Sequence, residues 1–421
     1  MKSLIAVILL MIAAGLAFAN PIIISDGPEN DYESWIARLH NGRLMTVFCR
    51  NPDWASGDLY VSFSNDDGLT WTEPEVIIQA NGDQATLSFV QMPSDTIRLY
   101  YASNETGYYK IYAATSLDGL VWHNEGPLDL GWGSTTDFYD PTVILEPDSS
   151  LTMSYVVMSS GVYVAHCPYN GSWDTDRVMV AASGYRPRIM KHTEGNYLCA
   201  YHTRTGGNYE YDVFVKSSTD LTRWSDPVEI TGNRNSHDPF ICEMYDGSYM
   251  IYYARYDGTA YNVRRRRSFD MQNWETEEPV TGDNTNNTQP HLLVEGVNLF
   301  MVYAHAVSYP YDHDVYLEKY EYATGIDSEI NMPQNIGLRL TAYPNPFNLS
   351  TQISITLDRP QFIRLEIFDL LGRLVAAPPA VKLSSGCHSF NWQAEDLISG
   401  IYFARLKTDF AEAKIKMMLI K

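Results

Sequence analysis

The sequence predicts an all-β chain: a six-bladed β-propeller followed by a smaller β-sandwich. Three observations predict it. Tryptophan recurs at Trp71, Trp122, Trp173, Trp224 and Trp274, in steps of 51, 51, 51 and 50 residues. A fixed period of that size in a strand-rich chain means one four-stranded unit repeated around an axis. Between repeats the text runs strand, turn, strand, loop, strand, turn, strand. Near Ser328–Gly337 the composition changes, and the remaining segment of roughly 80 residues is long enough for a core of its own.

The first nineteen residues carry Lys2, an apolar run from Leu4 to Leu16 and the close Ala17-Phe18-Ala19, the pattern of a secretory signal peptide. That run is too short to span a bilayer, and no later stretch is apolar enough. The expected organisation is therefore signal peptide 1–19, propeller 20–327, linker 328–340 and sandwich 341–421, with no transmembrane span in the mature chain. In the fourth unit the strands read Arg188–Lys191, Tyr197–Tyr201, Asp212–Ser217 and Pro227–Ile230. A sixth unit starts at Gln289 but lacks both its tryptophan and a fourth strand. The segment Asn20-Pro-Ile-Ile-Ile24 has the Pro-led pattern of the other fourth strands, so it is expected to close the ring and remove its open edges.

Acidic residues outnumber basic ones, 51 to 30, for a net charge of −21, which argues against nucleic acid as a partner. The five cysteines are scattered, with no Cys-x-x-Cys, so no zinc site is expected; Cys49, Cys199 and Cys242 fall in apolar runs and read as buried free thiols. No metal or other cofactor is expected.

Four tryptophans close a short phrase: Ser64-Asn-Asp-Asp-Gly-Leu-Thr-Trp71, Ser116-Leu-Asp-Gly-Leu-Val-Trp122, Ser218-Thr-Asp-Leu-Thr-Arg-Trp224 and Ser268-Phe-Asp-Met-Gln-Asn-Trp274. Ser and Asp side chains bond the backbone of a tight turn, and Gly accepts positive φ. The phrase resembles the Asp-box (BNR repeat) of the sialidase superfamily of six-bladed propellers. Its residues here are Ser64, Asp66, Gly68 and Trp71, then Asp118 and Trp122, Asp220 and Trp224, and Asp270 and Trp274. The resemblance implies that these turns lie on the face opposite the functional site.

The opposite face is built from three repeated places. Starts of first strands offer Tyr32 and Glu33, Asp137 and Asp140, Arg186, His237 and Asp238, and Gln289 and His291. Ends of second strands offer Arg50, Arg204, Arg255 and His305; starts of third strands offer Asp58, Lys110, Asp212, Asn262 and Asp314. Cross-hairpin pairs Arg50–Asp58, Arg204–Asp212 and His305–Asp314 are expected. Propeller glycosidases use carboxylates as acid and base or nucleophile, which nominates Asp53, Asp140 and Asp238 as catalytic. Arg50, Arg186, Arg204, His237, Arg255, His291 and His305 are nominated as substrate contacts, with Trp35, Trp54, Trp132 and Tyr139 as exposed stacking surfaces. Sialidases carry Arg-Ile-Pro where this chain has Ser34-Trp35-Ile36, so an exo-sialidase is not expected. The run Arg264–Arg267 reads as a packed strand.

The C-terminal block contains Tyr343-Pro-Asn-Pro-Phe347, Leu371-Gly-Arg373, Ser399-Gly-Ile-Tyr402 and a Lys-rich last strand. It resembles, motif by motif and in order, the C-terminal sorting domain of type IX secretion systems and a related Ig-like module of a flagellar hook-capping protein. That resemblance implies an Ig-like β-sandwich, export to the cell surface or beyond, and the type IX machinery as partner. The functional expectation is a secreted carbohydrate-active protein acting on an extracellular glycan or glycoconjugate, read as a glycoside hydrolase; a non-catalytic glycan- or protein-binding propeller is the alternative.

Overall fold

A computed structural model describes residues 21–321 and 338–421, apart from 53–54, 194, 208–209, 233–234, 245, 283, 309–310, 344, 346, 358–360, 371–372, 384–385, 395–396 and 409–411. Every element among the described residues is a strand. The chain divides into two compact units, Met1–Ala323 and Thr324–Lys421. Residues 1–20, and with them the signal-peptide reading, lie outside the described residues.

The first unit holds six antiparallel four-stranded sheets. Their innermost strands are Asn30–Arg38, Gln84–Gln91, Phe138–Leu145, Tyr185–Lys191, Ser236–Glu243 and Asn286–Glu295. Each touches the next, and the last touches the first, so the sheets form a closed ring of blades. Blade six takes three strands from Asn286–Glu295, Asn298–Ser308 and Tyr311–Glu321, and its outer strand is Ile22–Ile23 from the N-terminal end. Ile22 lies opposite Leu317 and Ile23 opposite Tyr316, as the missing fourth strand required. The amides of Ile24 and Ser25 both donate to the carbonyl of Val315, and the Val315 amide returns to Ser25 Oγ at 3.0 Å. Ile24 itself is buried with Val302, Val315 and Leu317.

The tryptophans are spacers between blades. Trp71 packs into the cluster shared by blades six and one, Trp122 into that of blades one and two, and Trp173, Trp224 and Trp274 into the next three seams. The seam between blades five and six has no tryptophan; there the Tyr320 hydroxyl donates to that of Tyr252 at 2.9 Å. The turns before the tryptophans are built as their residue types dictate. Ser64 Oγ accepts from the Gly68 amide at 2.8 Å, Asp66 accepts from the Thr70 amide at 2.9 Å, and Trp71 Nε1 donates to the Gly68 carbonyl at 3.1 Å. These donors, the Thr70 side chain foremost, hold the Asp66 carboxyl down at about 2. Gly119 repeats the positive φ in the second copy, whereas Leu221 and Met271 adopt it without being glycine in the later two. All four turns end third strands, on the face opposite the first-strand starts.

Cys49, Cys167, Cys199 and Cys242 are buried free thiols. The run Arg264–Arg267 is half-buried, with Arg264 against Asp257, Arg265 on Glu278 and Arg267 on Asp246, as a packed strand requires.

The second unit is a two-sheet sandwich. One sheet pairs Leu338–Tyr343, Ser350–Leu357 and Gly386–Gln393; the other contains Leu374–Ala376, Gln361–Asp369, Gly400–Thr408 and Glu412–Leu419, with Val381–Leu383 also on Gln361–Asp369. Its first strand begins inside the stretch read from sequence as linker. Ile353, Ile355, Leu365, Ile367, Trp392 and Leu406 belong to its core. The sequence motifs are its fasteners. Asn345 donates to the Lys416 carbonyl and accepts from the Met418 amide, both at 2.8 Å, while buried Phe347 pairs with the final strand. Arg373 closes its hairpin on Asp369, and the Tyr402 hydroxyl donates to the Ile398 carbonyl.

Two outcomes test the ring closure. Deleting residues 21–25 removes buried Ile24, half-buried Ile22 and the hydrogen bonds of Ile24 and Ser25 with Val315, and is expected to cost roughly 3–6 kcal/mol, measured by denaturant unfolding of the propeller. Asp314 lies beside this seam with one carboxyl oxygen buried and unbonded; burial, reinforced by Asp31, Asp312 and Asp26, pushes its pKa up to about 7. The folded state thus binds this proton more tightly than the unfolded chain, so its stabilising effect is full below pH about 4 and is lost as pH rises through about 7. Asp314→Asn is therefore expected to raise Tm at pH 8 and leave it nearly unchanged at pH 4 to 5, by thermal melts at both values.

Candidate functional site

Each innermost strand carries one extra residue near its start, a β-bulge against the second strand. The register breaks fall at Tyr32/Trp35, Ala85/Leu87, Tyr139/Thr142, Tyr185/Arg188, His237/Phe240 and Thr288/His291. In every blade a non-glycine residue there takes positive φ: Glu33 (57°), Thr86 (35°), Asp140 (54°), Arg186 (49°), Asp238 (52°) and Gln289 (56°). Such backbone costs on the order of 1–3 kcal/mol per residue and survives where the surroundings hold it, which is characteristic of functional sites. Proline follows in four blades (Pro141, Pro187, Pro239, Pro290), a residue suited to a bulge because it has no amide to leave unpaired.

The backbone amides of four of the six donate to a side chain of the preceding blade. The Glu33 amide donates to Gln289 Oε1 at 2.9 Å, the Asp140 amide to Thr86 Oγ1 at 3.1 Å, and the Arg186 amide to Asp140 Oδ2 at 3.0 Å. The Asp238 amide donates to His202 Nδ1 at 3.1 Å. At the centre, the Arg186 guanidinium faces three carboxylates: Glu33 at 2.6 Å, Asp140 at 3.6 Å and Asp238 at 3.6 Å. Those carboxylates are nearly enclosed, whereas the Arg186 side chain keeps 21% of its surface open at the floor of the mouth. All three share one guanidinium, so Glu33 and Asp238 lie no farther than roughly 9 Å apart, not beyond the widest spacing of glycosidase carboxylates.

Three carboxylates crowd on one cation, and the environment drives two of them in opposite directions. Burial raises the Glu33 pKa, outweighing its contact with Arg186. Asp238 is equally buried, but the His237 charge and hydrogen bond, with help from Arg186, hold it well below the usual carboxylate range. His237 Nδ1 sits 2.8 Å from Asp238 Oδ2 and, facing a carboxylate, is its donor. Arg186 is held firmly charged: burial works against it, and the Glu33, Asp140 and Asp238 charges overcome that. Burial lowers the His202 pKa to about 3, so His202 stays neutral and can accept from the Asp238 amide. A pair of carboxyls driven apart in pKa within one pocket is the arrangement of an acid and a base.

Of the residues nominated from sequence, Asp140, Asp238, Arg186 and His237 come together here. Asp53 and Trp54 lie outside the described residues. His291 is buried one layer below, accepting from the Ile36 amide at 3.3 Å and packed against Trp35 with ring centres 3.9 Å apart; burial pushes its pKa far down. Trp35 is therefore a core residue, not an exposed surface, because the bulge turns it inward. Trp132 is half-buried against Tyr163 and under Arg177. Arg50 forms a two-pronged pair with Asp31 at 2.7 Å on both prongs, and not with Asp58, which accepts from Gln79. Arg255 pairs with Glu277, and His305 bonds Asn287 at 2.9 Å while stacked on Tyr316. Arg204 leans over Tyr211, and Asp212 accepts from Thr205 and Thr231.

Glu33 is the residue that sequence reasoning left out of the catalytic set. It starts a first strand like Asp140 and Asp238, but Ser34 stands where they have proline. Position in the repeat was the signal that identified it. His202 and Arg188 were passed over because they lie within strands; Arg188 stacks over Trp35 and bonds Thr142 Oγ1 at 2.9 Å.

Replacing Arg186 by Met would leave three buried carboxylates without their shared cation. A loss of about 3–5 kcal/mol is expected at pH 7, with partial recovery as the carboxylates protonate below pH 5, measured by urea unfolding across that range.

Residues 341–421 match the secretion system C-terminal sorting domain, so the chain carries a type IX export tail and is destined for the cell surface or the extracellular space. No helix among the described residues is long and apolar enough to cross a membrane. No curated protein matches the chain in sequence. Among solved structures, it resembles a Dyadobacter fermentans protein of unknown function (TM-score 0.60, 14% identity, covering 73% of this chain and 99% of that one). It also resembles the Penicillium chrysogenum alpha-L-arabinanase bound to arabinobiose (TM-score 0.55, 14% identity, 72% and 98%). A third is the K499G mutant of Streptococcus pneumoniae NanB sialidase (TM-score 0.57, 10% identity, 71% and 70%). At these identities the likeness is one of fold: a β-propeller of the kind glycosidases use.

Proposed function

We propose that this exported protein is a glycoside hydrolase acting on a neutral extracellular glycan, with Glu33 as general acid and Asp238 as general base. The observation that carries the reading is the split pair of carboxyls on Arg186 at the mouth. Glu33 gives its proton to the glycosidic oxygen as the bond from that oxygen to the anomeric carbon breaks. Asp238 takes a proton from the water whose oxygen bonds to the same carbon; solvent then restores both carboxyls. Asp140 holds the Arg186 amide and orients its guanidinium, and His237 keeps Asp238 ionised. Asp53, nominated from sequence, is not required by this mechanism.

The charge arrangement supports a neutral substrate. Arg186 is already engaged by three carboxylates, so it is poorly placed to grip a substrate carboxylate as sialidases do. Ser34 and Trp35, standing where that family has Arg-Ile-Pro, leave a second guanidinium missing. A neutral pentose polymer such as linear arabinan, suggested by the arabinanase-like fold, is the first substrate to try. Export by way of the 1–19 leader and the type IX machinery is the route proposed to bring the enzyme to it.

Glu33→Gln and Asp238→Asn are each expected to lower kcat by roughly 10²–10⁴-fold on the substrate found, measured at a temperature where melting shows each variant folded. Activity requires Glu33 protonated and Asp238 ionised. The acid limb of the pH–rate profile should therefore lie below the ordinary Asp range and the alkaline limb above the ordinary Glu range, and Glu33→Gln should abolish the alkaline limb. The second reading, a non-catalytic glycan binder, is favoured by the fact that each ring carboxylate already has a partner. It predicts binding that survives both substitutions and no product from any glycan.

A further inference from the structure

On one side of the mouth the residue just before each bulge is aromatic and not fully buried: Tyr185 is exposed, and Tyr139 and His237 are half-buried. Tyr139 precedes Asp140, Tyr185 precedes Arg186 and His237 precedes Asp238. On the other side the same position holds buried Tyr32, Ala85 and Thr288. The aromatic side extends outward as a connected series of rings. Tyr185 and His202 are 5.8 Å apart, His202 and Tyr211 5.2 Å, and His202 and His237 6.0 Å. From His237 the series continues to Tyr261 at 4.6 Å and Tyr256 at 5.2 Å. Tyr109 lies beside Tyr139 at 4.4 Å. Tyr185 is 40% exposed and Tyr256 is 41% exposed.

The open faces of Tyr185 and Tyr256 cost hydration unless something apolar covers them, and the C–H faces of sugars do so while their hydroxyls stay wet. The connected series takes four ring-to-ring steps, of 5.8, 6.0, 4.6 and 5.2 Å, from Tyr185 in blade four to Tyr256 in blade five. It begins at the residues that flank the carboxyl pair.

We infer that this crescent, with Tyr185 and Tyr256 as its stacking platforms, is an extended subsite for several sugar units of a neutral polysaccharide running from the carboxyl pair across blades four and five. The inference rests on the hydrolase reading for its substrate class, and it makes the substrate a polymer. His237 joins the two functions, since its ring is part of the crescent and its Nδ1 holds Asp238. Arg204, over Tyr211 at 5.7 Å, sits beside the platforms.

The test is affinity electrophoresis of the full exported chain in gels containing linear arabinan, xylan or polygalacturonate, run for wild type, Glu33→Gln, Tyr185→Ala/Tyr256→Ala and Tyr185→Phe/Tyr256→Phe. A neutral polymer is expected to retard wild type and Glu33→Gln alike. The double alanine variant should bind roughly tenfold more weakly, with an unchanged melt, and the double phenylalanine variant should behave as wild type. Equal retardation of the double alanine variant overturns the subsite, as does the absence of retardation by any neutral polymer or a preference for polygalacturonate. The hydrolase reading fails separately: binding lost with the platforms but no product from the wild-type protein would sink that reading and leave the subsite standing.

Discussion

Turning a side chain from the face of a blade into a propeller's channel takes one extra residue in the inner strand, and six copies of that bulge determine what this molecule can do. Each forces a residue with a side chain into left-handed backbone, an arrangement that is unfavourable for an isolated strand. The ring tolerates it because four of the bulged residues fasten to the blade before them. Glu33 hangs on Gln289, Asp140 on Thr86, Arg186 on Asp140 and Asp238 on His202, each through an amide that the bulge has freed from the sheet. The blades below supply rigidity, with a tryptophan in five of the six seams. Strain at the top and close packing beneath are therefore one design, since a loosely packed ring would let each bulge relax into ordinary strand.

The same crowding sets the electrostatics. Arg186 is costly to bury alone, and so are three carboxylates. Placed together they neutralise most of one another. Burial pushes the Glu33 carboxyl up, whereas His237, which adjoins only Asp238, holds that carboxyl down. A difference of one neighbouring side chain thus drives two chemically similar groups apart in pKa.

Much of this was legible in the sequence and some was not, for identifiable reasons. The tryptophan period gave the blade count, and the absence of a sixth repeat of it placed the ring closure at residues 20–24. Asp140-Pro, Arg186-Pro and His237-Asp238-Pro stood out as equivalent steps because proline marks the bulge. Glu33 shares their place and backbone but not the proline, so it lacked the visible mark. Residues at strand-two ends looked equivalent to one another, yet Arg50, Arg255 and His305 turn to partners within the blades. Strand alternation decides which way a side chain points, and a bulge shifts that alternation by one. Trp35 is the clearest case: the bulge beside it sends an aromatic expected at the mouth down onto His291. The crescent of tyrosines was hidden differently, since with 30 tyrosines in the chain no single one is conspicuous until its neighbours in space are known.

The two-residue strand that completes blade six also governs how the molecule can form. Every other pairing in the propeller joins strands close in the chain, so blades one to five can each assemble as local meanders. The contact of Ile22 with Leu317 has to close a loop of almost the entire domain, at an entropic cost on the order of 5 kcal/mol before any packing is gained. Folding is thus a run of quick local events followed by one slow, long-range one. Until the earliest part of the propeller meets the last, an unpaired edge remains in solution, and the time spent in that state sets the window in which the chain can associate with copies of itself.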